Sequence, residues 1–168
     1  MVKKDLKQDI ADHVVTYKES HYRLAYSYVK NVEDALDIVQ ESIYKAFSAS
    51  GSLQEPGYIK TWFYRIIVNT SLDFLRKKKK IVILDNEILT NLDLGEADNY
   101  EDFDLKVALD SLAEPYRTII ILRYFEDLKI EEIAEVLDEN VNTIKTRLYK
   151  GLEKLRIKMN DDNLYEEA

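Results

Sequence analysis

The chain has 168 residues, 46% hydrophobic and 33% charged, which suits one compact domain or two small ones and excludes collagen-like, fibrous and wholly disordered chains. It has no cysteine, which excludes a disulfide framework, a thiolate zinc site and a cysteine nucleophile, and its two histidines and four glycines leave little material for catalysis. The net charge of −8 argues against a general polyanion binder, yet residues 1–80 hold 14 cations against 10 anions, 81–105 none against 8, and 106–168 10 against 14.

Two windows are strongly positive: 60–80, with seven cations and one acid, and 142–158, with six and one. No apolar run approaches the roughly 20 residues of a membrane span, and the start lacks the apolar stretch of a signal peptide, so the expectation is a soluble, cytoplasmic protein with no direct membrane insertion. Apolar residues recur at helical spacing from about 10 to 80 and from about 105 to 158, whereas 81–104 is acidic and aperiodic. This predicts an all-α fold of two small helical domains, 1–80 and 105–168, joined by an acidic linker over 81–104. Within the linker, IVIL at 81–84 is expected to dock on a neighbour rather than form a strand.

The first predicted helix carries Ile10, Val14, Tyr17, His21, Leu24 and Tyr28 on one stripe, which makes His21 a packed core residue. His13 falls off that stripe, so no two-histidine metal site is expected. A second helix, 33–50, is read as burying Leu36, Val39, Ile43, Ala46 and Phe47 and exposing Asp34, Asp37, Ile38, Glu41, Tyr44 and Lys45. An exposed isoleucine among carboxylates is either an ordinary lone surface residue or part of a docking surface for a basic partner.

After a loop at 50–57, a third helix over 58–80 places Ile59, Trp62, Phe63, Ile66, Ile67 and Phe74 in the core. Its second stripe is Tyr58, Arg65, Asn69, Leu72 and Arg76, with Trp62 at the margin and Lys77–Lys80 extending the positive charge. Guanidinium groups for phosphates and rings for base stacking suit single-stranded nucleic acid, but aromatic stripes are usually core, so composition alone favours core aromatics with merely solvated arginines.

The second domain opens with a helix over 103–112 and another begun by Pro115, with Ile119, Leu122 and Phe125 as core. KIEEIAEVL then places Ile130, Ile133, Ala134 and Leu137 on one face. The last helix, from about 142, buries Ile144, Leu148, Leu152 and Leu155 with Gly151, and shows Thr143, Thr146, Arg147, Lys150 and Lys154 outward with Lys145 on the flank. An acidic helix, a tight turn and a helix with a basic outer face describe a helix-turn-helix, or else a plain αα-hairpin; the small Ala134 at the close approach favours the former.

Three stretches in order resemble the extracytoplasmic-function (ECF, group IV) sigma factors of the bacterial σ70 family. DALDIVQE (34–41) is similar to that family's D-A-E-D-L-V-Q-E, and WFYRIIVNTSLDFLRKKKK (62–80) to its W-L-x-R-I-A-x-N-x-x-x-D-x-L-R. LRYFEDLKIEEIAEVLDENVNTIKTRLYKGLEKLR (122–156) is similar to its L-R-x-x-E-x-L-x-x-x-E-I-A-E-x-L…G-T-V-K-S-R-L-x-R-A-x-x-x-L-R. The resemblance implies a σ2 domain over 1–80 and a σ4 domain over 105–168. It implies that Asp34, Asp37, Ile38, Gln40 and Glu41 dock on the β′ clamp helices of core RNA polymerase, and that σ4 rides on the β flap. It further implies that Tyr58, Trp62, Arg65, Asn69 and Arg76 engage the melted −10 element of promoter DNA, with a base drawn from the stack, and that Thr143, Lys145, Thr146, Arg147 and Lys150 read the −35 element as duplex.

An anti-sigma factor, membrane-anchored, is the implied regulator, and no catalytic residue, metal or cofactor is implied. Three departures stand out. Leu36 replaces the glutamate inside D-A-E-D and is expected on the buried side, leaving the docking acids unaffected. Asp138 replaces the usual turn glycine, a position where φ > 0 is tolerated, and Asn142, expected as the N-cap of the last helix, replaces the glycine of G-T-V-K-S-R. A stand-alone helix-turn-helix regulator is disfavoured by the basic-aromatic stripe of the first domain. A hydrolase using linker carboxylates is disfavoured because DLGEADNYEDFD lacks the spaced ligands and glycine of a calcium loop.

Overall fold

The computed structural model describes residues 5–53, 55–84 and 100–166, with side chains up to Ile81 and from Leu105 to Asn160. The helices are α1 (Leu6–Thr16), α2 (Lys18–Val29), α3 (Val32–Ser48), α4 (Ile59–Leu84), α5 (Tyr100–Ser111), α6 (Glu114–Ile120), α7 (Ile130–Leu137) and α8 (Val141–Glu166), and no strand occurs among the described residues. They form two compact units, one built on α1–α4 and the other on α5, α6, α8 and most of α7. The expected all-α, two-part fold is therefore what the chain adopts. The acid-rich residues 85–99 lie outside the described residues. IVIL at 81–84 is the last turn of α4 and not a strand; Ile81 is exposed, and the side chains of 82–84 lie outside the described residues.

In the first unit the predicted single helix over 10–28 is two. The Thr16 hydroxyl donates to the Asp12 carbonyl at 2.7 Å, a back-bond that bends helices, and Tyr17 leaves the helical region at φ −109°, ψ 21°. The break turns Tyr17 outward, 43% exposed, so it is not the core residue expected. α2 stops at Lys30, held left-handed at φ 54°, and the Asn31 side chain then accepts the Asp34 N–H at 2.9 Å to start α3.

The phase of α3 differs from the sequence reading. Its inward line is Ala35, Ile38, Ser42 and Ala46; Ile38 is 1% exposed and Leu36 is 51% exposed, the reverse of the expectation. Small residues on that line let α2 and α4 pack closely, so close approach sets the rotation where hydrophobicity alone favours the wrong side. Burying Ile38 contributes roughly 1.5–3 kcal/mol that exposure would forfeit. Along α4 the core line holds Ile59, Phe63 and Ile67 as predicted and also Tyr64, Val68, Thr70 and Ser71, whereas Trp62, Ile66 and Phe74 are half-buried.

The second unit is tied by cations at the end of α5. Buried Arg117 of α6 donates to the Leu112 carbonyl at 2.9 Å, and Lys158 of α8 donates to the Ser111 carbonyl at 3.2 Å and its hydroxyl at 2.8 Å. Positive groups there satisfy carbonyls that have no helical partner and oppose the negative helix end. Pro115 sits in the first turn of α6 as expected. The helix continues as a π turn, Ile121–Phe125, that leaves Phe125 43% exposed, correcting its core assignment. Gly151 is buried against α6: a Cβ there would stand 3.2 Å from both Tyr116 Cβ and Ile120 Cδ1.

α7 closes in a Schellman turn. Glu139 N–H reaches the Ala134 carbonyl at 3.0 Å and Asp138 N–H the Glu135 carbonyl at 3.4 Å, with Asp138 left-handed at φ 53° in the position expected of glycine. The N-cap of α8 is Asn140, whose Oδ1 accepts the Asn142 N–H at 2.8 Å. Asn142 lies inside the first turn, which corrects its expected capping role; a cap must sit two or three residues before the amide it receives.

Candidate functional site

Three surfaces carry the residues singled out from sequence. On α4 and the 3-10 turn before it (Pro56–Tyr58), Tyr58, Arg65, Asn69 and Arg76 are exposed and Trp62 is half-buried beside them. The spacing of four between Arg65 and Asn69, and seven from there to Arg76, keeps the three on one side of the helix. Arg76 Nη1 lies 3.2 Å from Asp73 Oδ1, which steadies the guanidinium without burying it. The opposite side of the same helix is the core line, so cations and amide are held on a rigid, packed rod.

At the start of α8, Lys145, Thr146 and Lys150 are exposed, while Thr143 and Arg147 are half-buried. Arg147 Nη1 meets Glu139 Oε1 at 3.2 Å, and the Thr146 hydroxyl donates to the Asn142 carbonyl at 2.9 Å. Arg147 is thus pre-oriented by an acid from the turn, and Thr146 offers its oxygen and methyl rather than a free O–H. The inner face, Ile144, Leu148 and Gly151, is buried, so the basic face points away from this unit's core.

On α3 the exposed acids are Glu33, Asp37 and Glu41, beside an exposed line of Val32, Leu36, Gln40 and Tyr44 at steps of four. Ile38 is absent from this face because it is core. Asp34 is half-buried and bonded to Lys78 Nζ at 3.3 Å. Lys45 lies 3.6 Å from Glu41 and donates to the buried Thr70 hydroxyl at 3.2 Å, linking this face to α4.

His21 is fully buried, its ring 5.4 Å from His13 and 4.4 Å from Phe63, and neither of its ring nitrogens has a hydrogen-bond partner. Burial, aided by the nearby His13, pushes its pKa down to about 3, and burial with Lys60 nearby lowers His13 as well. The core role of His21 is as expected. The proximity of His13 is not, and follows from the break at Tyr17. Among the described residues no group of three or more ligand side chains could hold a metal, and the pair is a contact between buried His21 and half-buried His13.

The family profile described as Sigma-70 region 2 matches residues 14–81, and that described as Sigma-70, region 4 matches residues 102–155. The chain is 55% identical over 151 residues to the RNA polymerase sigma factor SigV of Bacillus subtilis (strain 168), covering 90% of this chain and 91% of that protein. It is also 36% identical over 183 residues to the ECF RNA polymerase sigma factor SigW of the same organism, covering 96% of this chain and 98% of that one. The chain belongs to the ECF class of the σ70 family.

The fold of this sigma factor recurs in the sigma factor RpoE of Bartonella quintana, solved with the anti-sigma factor NepR, with a TM-score of 0.77 and 22% identity over 91% of this chain and 98% of that one. As a sigma factor it is a transcription initiation factor. What the sequence reading missed is the role of Leu36 as the exposed apolar residue among the acids. The available signal was the series Val32, Leu36, Gln40 and Tyr44, whose step of four sets each residue beside the last, turned by about 40° around the helix.

Proposed function

We propose that this sigma factor docks on core RNA polymerase through the exposed face of α3, reading Asp37, Gln40 and Glu41 as the polar contacts and Leu36 as the apolar anchor between them. The β′ clamp helices are the partner that the family resemblance assigns to this face, and the β flap the one it assigns to the second unit. The first unit, with the stripe Tyr58, Trp62, Arg65, Asn69 and Arg76, takes the melted −10 strand: rings stack on bases and guanidinium groups hold phosphates. The second unit reads the −35 duplex with the first turns of α8, where Thr143, Lys145, Thr146, Arg147 and Lys150 enter the major groove.

In this reading σ2 spans 1–80, the linker 81–104 and σ4 105–168. The chain works in the cytoplasm, and a membrane-anchored anti-sigma factor holds it in reserve. Two structural neighbours support control by an anti-sigma partner: the Bartonella protein was solved with the anti-sigma factor NepR, and CnrH with the cytosolic domain of CnrY.

The observation that carries the proposal is the one-sided construction of α4: Arg65, Asn69 and Arg76 are exposed, while the helix that bears them is fixed by a core line running along its other side. The test is transcription in vitro from a library of promoter fragments with purified core polymerase. Addition of the chain is expected to yield defined start sites, and Arg65→Ala or Asn69→Ala to reduce strand opening while Lys150→Ala weakens −35 binding. A chain that directs no promoter-specific start would overturn the reading.

A further inference from the structure

The family resemblance groups Asp34 with the docking acids, and the sequence sets Lys78 in a run of four lysines that extends the positive charge of α4; the structure separates both from their groups. Lys78 lies four residues beyond Phe74, seven beyond Ser71 and eleven beyond Ile67, which is the inward side of α4 continued past the end of the core. Lys80, by contrast, lies four beyond Arg76 and eleven beyond Asn69, on the outward stripe.

From Arg76 to Ile81 every side chain is exposed, and among the described residues from Lys77 to Ile81 only Lys78 has a polar partner. That partner is Asp34, in the first turn of α3, where the Asn31 side chain caps its own N–H and the positive helix end favours its charge. Asp37, one turn on, is exposed and has no ionic partner among the described residues.

We propose that Asp34 and Lys78 form a strut between the start of α3 and the cationic end of α4. Asp34 is then a positioning residue for DNA engagement and not a docking carboxylate. The strut fixes the direction of the last packed turn of α4, and with it the line along which Arg76 and Lys80 meet a DNA backbone. The inference rests on the reading of α3 and α4 given above.

The full-length chain, assembled with core RNA polymerase, is titrated with a fluorescein-labelled single-stranded oligonucleotide of mixed sequence over a range of salt. Asp34→Asn and Lys78→Gln are each expected to weaken oligonucleotide binding roughly two- to fivefold, the range of a partly exposed ion pair. The affinity of either variant for core polymerase stays unchanged, and the exchanged pair Asp34→Lys with Lys78→Asp recovers DNA binding. Lys78→Gln leaves the salt slope unaltered, whereas Lys80→Gln lowers it by about 0.7, the value for one lost phosphate contact on a single strand.

The strut is overturned if Asp34→Asn weakens core binding as far as Asp37→Asn does, or if the exchanged pair recovers nothing. An Asp37→Arg variant that keeps full affinity for core polymerase removes the docking reading instead, and the oligonucleotide arm still decides the strut.

Discussion

At the level of single residues, buried His21 sets an acid limit on the first unit. Its pKa falls from 6.5 to about 3 through desolvation, with the neighbouring His13 as the second cause, so the folded state keeps it neutral where the unfolded chain protonates it. The unfolded state therefore binds more protons below 6.5. The stability this group supplies is complete above that pH and is lost as pH falls toward 3, by up to about 1.4 kcal/mol per pH unit. Urea midpoints measured by circular dichroism should drop between pH 7 and pH 5, and His21→Phe should flatten that dependence. The exchange of Ile38 and Leu36 yields a second prediction. Leu36→Ala should lower affinity for core polymerase about tenfold with little change in stability, as an interface anchor does, while Ile38→Ala should cost roughly 2–5 kcal/mol of folding stability. Fluorescence titration against core polymerase and urea unfolding separate the two.

Among the elements, helices were legible wherever a strong apolar stripe met a clear stop. α8 shows both: Ile144 and Leu148 are buried as the spacing required, and its start follows a turn whose left-handed residue, Asp138, could be anticipated from the place of the missing glycine. α3 was legible as a helix and not as a rotation, because Leu36, Ile38, Val39 and Ile43 leave no side clearly polar, and Ala35, Ser42 and Ala46 give small residues no weight in a hydrophobic count. The break between α1 and α2 was hidden because a threonine back-bond is a local competition that apolar periodicity does not register. Buried Arg117 was also missed, since nothing in EPYRTIIILRYF distinguishes an arginine that caps a neighbouring helix from one in water. Close packing of α6 on α8 makes Gly151→Val costly, roughly 1–3 kcal/mol from overpacking, as a lowered urea midpoint would show. Gly151→Ala regains up to about 1 kcal/mol of helix propensity and should lie nearer neutral.

For the whole molecule, the uneven charge matters more than its total. A chain of net −8 with its cations gathered in 60–80 and 142–158 should bind mixed-sequence DNA weakly when alone and lose that binding steeply with salt. Neutralising Lys145 or Lys150 should reduce the slope on duplex by about 0.9 each and leave the slope on single strands untouched, with fluorescence anisotropy as the readout. The candidate surfaces were legible at this scale because long cationic stretches survive any error in helix rotation. Which carboxylate faces a partner was not, since a turn of 100° moves a residue from surface to core.

Trp62 is the chain's single indole, and it lies half-buried at the edge of the α4 stripe. Its intrinsic emission is accordingly a native gauge: a nucleobase stacking along that edge would quench it, and occupancy of the stripe could be followed in the unlabelled molecule by stopped flow.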